Sequence, residues 1–312
     1  MQAAFVFIDL LGFSEYTRED LGGVARLLES QRIILNTRLS DEKWYKARNT
    51  QVTPFARARL ATSFEHFLPF SDSICIASSD PNLFLRQLAE FLRHAFLYTG
   101  HAFGDRTNSA NPTAIDMRVI GLDGTSRETQ NWYPVLWRGG MSYGKVEIVE
   151  TSGLVEKKPL SLPLLVGEPV VEAVGLERCG GKGPRLFCRP DFRRNISDSD
   201  LLPYFVPVGS LPEKAVDVEE FLWTGCNFDN DGDFDAEFRM VSELLEPAMA
   251  LWIARRGKDA EQQYREFVLL VIRGALKWAE TRQRRADALV ILRGLLVAFR
   301  HESVVDEIMA LV

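Results

Sequence analysis

The chain has 312 residues, of which 46% are hydrophobic and 26% charged, with a formal net charge of −6 at pH 7; this supports one large domain or two modest ones and excludes general nucleic-acid binding through clustered Lys and Arg. The four cysteines, Cys75, Cys179, Cys188 and Cys226, form no CxxC pair and no Cys/His cluster, which excludes a structural zinc site. No run of about 18 apolar residues offers a membrane span, and the first apolar run has no basic lead and is broken by Asp9, so the expectation is a cytoplasmic protein with reduced thiols.

Residues 4–11 read as a fully buried strand. Over 19–39 the apolar positions Leu21, Val24, Leu27, Leu28, Ile33, Ile34 and Leu39 recur at helical spacing, and a basic, aperiodic stretch follows over 41–60. Residues 61–68 and 72–78 flank Pro69-Phe70-Ser71 and read as a hairpin, with Asp72 near its turn. Asp80-Pro81 starts an amphipathic helix over 81–100. The Gly-, Asn-, Thr- and Asp-rich stretch 104–131 reads as a surface excursion, and 134–149 as a second hairpin. Leu164-Leu165-Val166-Gly167 runs into a helix ending near Glu177, and 184–209 reads as strand, short acidic helix and strand.

From about 212 the character changes, and 235–312 carries three or four helices with Pro247 as its one proline. The order strand–helix–strand–strand–helix–strand resembles the ferredoxin-like βαββαβ arrangement, so the fold class is α+β, with units expected at 1–211 and 212–312. The acidic run Asn227–Asp235 has half of an EF-hand loop but Phe238 where the bidentate Glu belongs; it reads as a loop capping the next helix.

Two acids interrupt strands that otherwise read as buried: Asp9 in Phe7-Ile8-Asp9-Leu10-Leu11-Gly12-Phe13-Ser14, and Asp72 in Phe70-Ser71-Asp72-Ser73. A charge there costs several kcal/mol unless it is compensated. Two convergent carboxylates are commonly compensated by a divalent metal engaged in phosphate chemistry. Gly12, Phe13 and Ser14 open the helix after Asp9 and turn backbone N–H groups toward an anion; the bland alternative is a capping Asp9 and a turn-forming Asp72.

Phe-x-Asp-Leu-x-Gly-Phe-Ser (7–14) resembles the first metal-binding motif of class III nucleotide cyclases, and Phe-Ser-Asp-Ser (70–73) the second. Arg138-Gly-Gly-Met-Ser-Tyr-Gly144 is similar to their central glycine hairpin, and Gly167–Glu177 to the segment that ends their catalytic site. The resemblance covers roughly residues 1–210. It implies two Mn²⁺ or Mg²⁺ ions held by Asp9, Asp72 and the Leu10 carbonyl, and a homodimer with shared active sites acting on a nucleoside triphosphate.

The departures carry information. The purine-reading Lys falls at Leu68, and the transition-state Asn and Arg fall at Val171 and Gly175. This pattern most resembles the pyrimidine cyclases of bacterial Pycsar anti-phage systems, which implies cyclic UMP, or cyclic CMP, as product. Strand alternation places Phe64, His66, Leu68 and Phe70 on one face, with His66 facing the base or the face serving as core or dimer contact. Arg138, then Lys182 and Arg185, are the candidate replacement cations; an ordinary strand-end charge is the equal alternative for Arg138. A decayed nucleotide-binding regulator, or a purine cyclase with a rearranged pocket, are the other functions the sequence admits.

Overall fold

The computed structural model describes residues 1–48, 61–104, 114–121, 124–131, 134–155, 158–179, 181–208, 217–228, 233–258, 260–298 and 302–311. β1 (Gln2–Leu10) lies inside a seven-stranded sheet with β2 (His66–Phe70), β3 (Ser73–Ser78), β6 (Trp137–Lys145), β9 (Leu186–Cys188), β10 (Phe205–Pro207) and β11 (Glu219–Phe221). Their order is β10-β11-β9-β6-β1-β3-β2. The four strands β6-β1-β3-β2 pair antiparallel throughout. With α2 (Leu21–Arg48) joining β1 to β2 and α3 (Pro81–Gly104) joining β3 to β6, they form the expected βαββαβ core.

Period-two alternation divides β1 between two cores. Ala4, Val6, Ile8 and Leu10 enter the large core with Val24 and Leu27 of α2 and Leu85, Leu88 and Phe96 of α3. Ala3, Phe5 and Phe7 enter a smaller one with Cys75, Ala77 and Ala173, the last on α4 (Glu168–Glu177). Asp9 belongs by parity to the α4 side. That helix lies close on β6 because Gly140 has no side chain: a Cβ there would stand 2.1 Å from the Ala173 carbonyl oxygen.

Several elements depart from the sequence expectation. The helix expected at 19–39 is α2, and a separate short helix, α1 (Phe13–Glu19), precedes it; Asp20 lies between them, and its carboxylate accepts the Gly23 N–H at 2.8 Å and caps α2. The stretch 104–131 carries a hairpin, β4 (Ala114–Gly121) with β5 (Gly124–Asn131). Residues 134–149 are not a hairpin. β6 pairs with β1 and β9, while β7 (Glu147–Val155) leaves the sheet to pair with β8 (Lys158–Val166). The local pattern could not show that β6 finds its partners far away in sequence.

After β8 and α4 come α5 (Pro190–Arg193) and a 3₁₀ turn, Leu202–Tyr204. The helical tail has five helices among the described residues: α6 (Phe234–Val241), α7 (Leu245–Arg255), α8 (Glu261–Thr281), α9 (Arg285–Ala298) and α10 (Glu302–Met309). Their apolar stripes share the large core with the sheet; Phe267 of α8 meets Phe96 of α3 edge-on at 4.7 Å. The expected division at 211 and 212 lies outside the described residues. So do residues 229–232 of the acidic loop; Asp233 precedes α6 but its side chain caps nothing there, contrary to the capping expectation. No described helix is long and apolar enough to cross a membrane.

Candidate active site

Register aligns the site. Phe70, Ser73, Asp9 and Arg138 lie in one cross-strand row over β2, β3, β1 and β6. Leu68, Cys75, Phe7 and Gly140 form the next row, and His66, Ala77, Phe5 and Ser142 the one after. The acid at the end of β1 and the leucine expected at the base therefore share the α4 face of the sheet.

Three interactions fix the acids. The Ser73 hydroxyl donates to Asp9 Oδ1 at 2.7 Å, and Arg138 Nη2 stands 3.9 Å from Asp9 Oδ2. Asp72 sits in the β2–β3 turn after Ser71, whose φ of 48° lies in the left-handed region, and its carbonyl accepts the Leu10 N–H at 3.0 Å. The end of β1 and the Asp72 turn are thus tied by backbone. The Leu11 N–H is taken by the Leu136 carbonyl at 2.8 Å, and Gly12, with φ 80°, turns the chain into α1.

Burial raises the Asp9 carboxyl above its ordinary value, and the nearby Asp72 charge adds to this; the Ser73 hydrogen bond, Arg138 and Arg178 oppose it. A half-buried carboxylate that disfavours its own charge is a receptive ligand for a cation. Two carboxylates with backbone carbonyls form a hard oxygen donor set of the kind that takes Mg²⁺ or Mn²⁺ together with substrate phosphates. Among the described residues no three His, Cys, Asp or Glu side chains stand together as a metal cage.

Sequence reasoning missed Glu177. Its carboxylate is 2.6 Å from Arg138 Nε in an ion pair, and its side chain is only 4% exposed. Burial raises its carboxyl and the Asp9 charge adds to it, with Arg138 opposing. The available signal was helical spacing: Ala173, Leu176 and Glu177 share the buried stripe of α4, so an acid interrupts an apolar face. Arg178, next in the chain and exposed, favours the charged forms of both Asp9 and Glu177 and was missed too.

Two expectations are corrected. Phe64 does not share the face of His66 and Leu68. β2 begins at His66, so the alternation does not reach back to Phe64, which packs in the large core against Phe84 and Phe91, while Leu68 joins the core on the α4 side. Arg185 is no free anion-binding cation: Nε and Nη2 fork onto Glu220 at 2.7 and 2.8 Å, and both residues are buried. Lys182 is exposed in the segment between α4 and β9, and His66 is half-buried two rows from Asp9.

No family model matches the chain, and no curated protein matches it. Among solved structures, an adenylate cyclase from Trypanosoma brucei in its monomeric state is 10% identical, covering 70% of this chain and 86% of its own, with a TM-score of 0.39. The guanylyl cyclase Cya2 is 16% identical, covering 71% and 91%, with a TM-score of 0.38. The adenylyl cyclase CyaB from P. aeruginosa is 10% identical, covering 70% and 92%, with a TM-score of 0.37. Likeness this distant decides nothing about chemistry, which rests on the row through Asp9.

Proposed function

We propose that the chain is a class III nucleotide cyclase that converts UTP, or CTP, to its 3′,5′-cyclic nucleotide and pyrophosphate. The carrying observation is the cross-strand row Ser73–Asp9–Arg138 with Asp72 at the adjoining turn. In the reaction a bond forms between the 3′-oxygen and the α-phosphorus as the bond to pyrophosphate breaks, and the 3′ proton leaves to solvent. Asp9, Asp72 and the Leu10 carbonyl are the residues to hold two divalent ions. Such ions, when bound, lower the pKa of the 3′-hydroxyl and neutralise the triphosphate.

The residues of this chain supply the rest. Ser73 orients the Asp9 carboxylate, and Glu177 holds Arg138 beside it. Gly12, Phe13 and Ser14 receive the triphosphate at the start of α1. Arg178 and Lys182, both exposed, are better placed than Arg185 to meet developing charge on phosphate. Leu68 brings no hydrogen-bonding group to the base, which supports the smaller pyrimidine over a purine read by a lysine; His66 lies further along the same face.

A second copy of this chain completes the site in this proposal. α4 leaves the β2 edge open, where Phe70 is 47% exposed, and Val171 on α4 is 75% exposed. Ile148, Val149, Leu164 and Val166 add exposed apolar surface on the β7–β8 hairpin. The product is a second messenger in anti-phage defence, made without nucleic-acid or membrane partners.

The test is to incubate the pure protein with all four nucleoside triphosphates and Mn²⁺ and to weigh the product. A cyclic pyrimidine nucleotide that disappears in Asp72→Ala supports the proposal. A cyclic purine product supports the rearranged purine pocket. Nucleotide binding without turnover supports a regulator.

A further inference from the structure

α8 reaches both walls of the site. On one side the Tyr264 hydroxyl shares a buried hydrogen bond with that of Tyr16. Tyr16 belongs to α1, one turn after Gly12, and its ring fills the space a Gly12 side chain would need. On the other side, Gln263 accepts the Gly183 N–H at 2.7 Å. Further along α8, Arg273 Nη1 lies 2.8 Å from Glu220 Oε2. Glu220 is fully buried and is gripped from its other side by Arg185. The backbone carbonyl of Arg185 in turn accepts the N–H of Gly139, the neighbour of Arg138, at 2.9 Å.

Arg273 is thus hydrogen-bonded to Glu220 and Glu220 to the Arg185 side chain, while the Arg185 backbone is bonded to Gly139, next to Arg138 at the start of β6. A buried carboxylate held by two guanidiniums adds little net stability over an apolar replacement; what such a group supplies is registry. We propose that Arg273 and Glu220 are positioning residues. Acting through Arg185, they set where Arg138 stands relative to Asp9, while Tyr264 fixes the opposite wall. The helical C-terminal region thereby controls the geometry of the site. The kinetic consequence rests on the cyclase function proposed above; the structural coupling does not.

The experiment compares the full chain with Arg273→Met and Arg273→Lys by amide hydrogen exchange and by cyclisation kinetics. Arg273→Met leaves the Arg185–Glu220 fork in place, so a folded protein is expected. In it, amides of residues 138–140, 183 and 185–187 exchange about tenfold faster, while those of 3–8 stay at the wild-type rate. Its kcat falls about tenfold, and Arg273→Lys recovers part of the loss. Tyr264→Phe, which removes one hydroxyl, loosens residues 11–16 instead and serves if Arg273→Met does not fold. Wild-type exchange at Gly139 in folded Arg273→Met, or at 11–16 in Tyr264→Phe, overturns the coupling. Faster exchange with wild-type kcat overturns the positioning role. A wild-type chain that makes no cyclic nucleotide overturns the cyclase proposal alone, and the exchange data still decide the coupling.

Discussion

Glu177 holds Arg138 at 2.6 Å, and the far end of the same guanidinium reaches to 3.9 Å from Asp9. Arg138 therefore bridges an acid on α4 and an acid on β1, and its charge is matched before any substrate arrives. In the proposed cyclase it positions and partly neutralises Asp9; unlike the free cation the sequence suggested, it is already paired with two acids.

Breaking that bridge should destabilise the fold. Arg138→Met leaves the buried Glu177 carboxylate without its partner. Removing one member of a buried pair costs about 3–5 kcal/mol, and the partial exposure of Arg138, 31%, brings the expectation nearer about 2 kcal/mol. Adding Glu177→Gln to Arg138→Met should recover most of the loss. Urea denaturation of the two single variants and the double variant measures this, and equal stability of Arg138→Met and wild type would refute the bridge.

Gly140→Ala tests how α4 is seated. The new methyl would collide with the Ala173 carbonyl at 2.1 Å, so α4 must lift from β6 and carry Glu177 with it. Overpacking of this kind costs about 1–3 kcal/mol. A lower melting temperature together with reduced cyclisation is expected; Gly175→Ala, inside the same helix where a Cβ meets nothing within 4 Å, is the matched control and, alanine being the better helix former, should leave the melting temperature unchanged or slightly higher.

Both findings show what the sequence carried. Asp9 and Asp72 were legible because acids stand out in strand-like runs, and the βαββαβ order followed from period and turn signals. Pairings between distant segments were not legible: β6 joining β1 and β9, and β11 joining β9, depend on tertiary register. Arg185 illustrates the limit most sharply. From its loop it read as a free cation, and only the position of Glu220, 35 residues on, shows it spent.

The titration of Asp9 gives a pH signature. Its carboxyl is raised in the folded state, chiefly by burial, so the metal-free folded protein binds its proton more tightly than the unfolded chain does. The resulting stabilisation is complete below the ordinary aspartate value and is lost as pH rises through the raised one. Relative to Asp9→Asn, wild-type protein should therefore lose stability over that window, without metal. Equilibrium unfolding of the two proteins at a series of pH values measures the difference; a wild-type advantage that grows with pH would contradict the burial argument.

Metal should reverse that order at neutral pH. An ion bound by Asp9 and Asp72 stabilises only the folded state, by about 2.7 kcal/mol at one hundred times its dissociation constant. Thermal unfolding with and without Mn²⁺ should show a higher melting temperature for wild type and none of that rise for Asp9→Asn or Asp72→Asn. Cyclisation in both variants should fall by more than the roughly 100-fold that loss of an outer-shell partner costs. The Ser73→Ala change, which removes only the hydroxyl that orients Asp9, should fall within that 100-fold range. A melting temperature that rises equally with Mn²⁺ in wild type and Asp9→Asn would place the ion elsewhere, and with it the chemistry assigned to the row through Asp9.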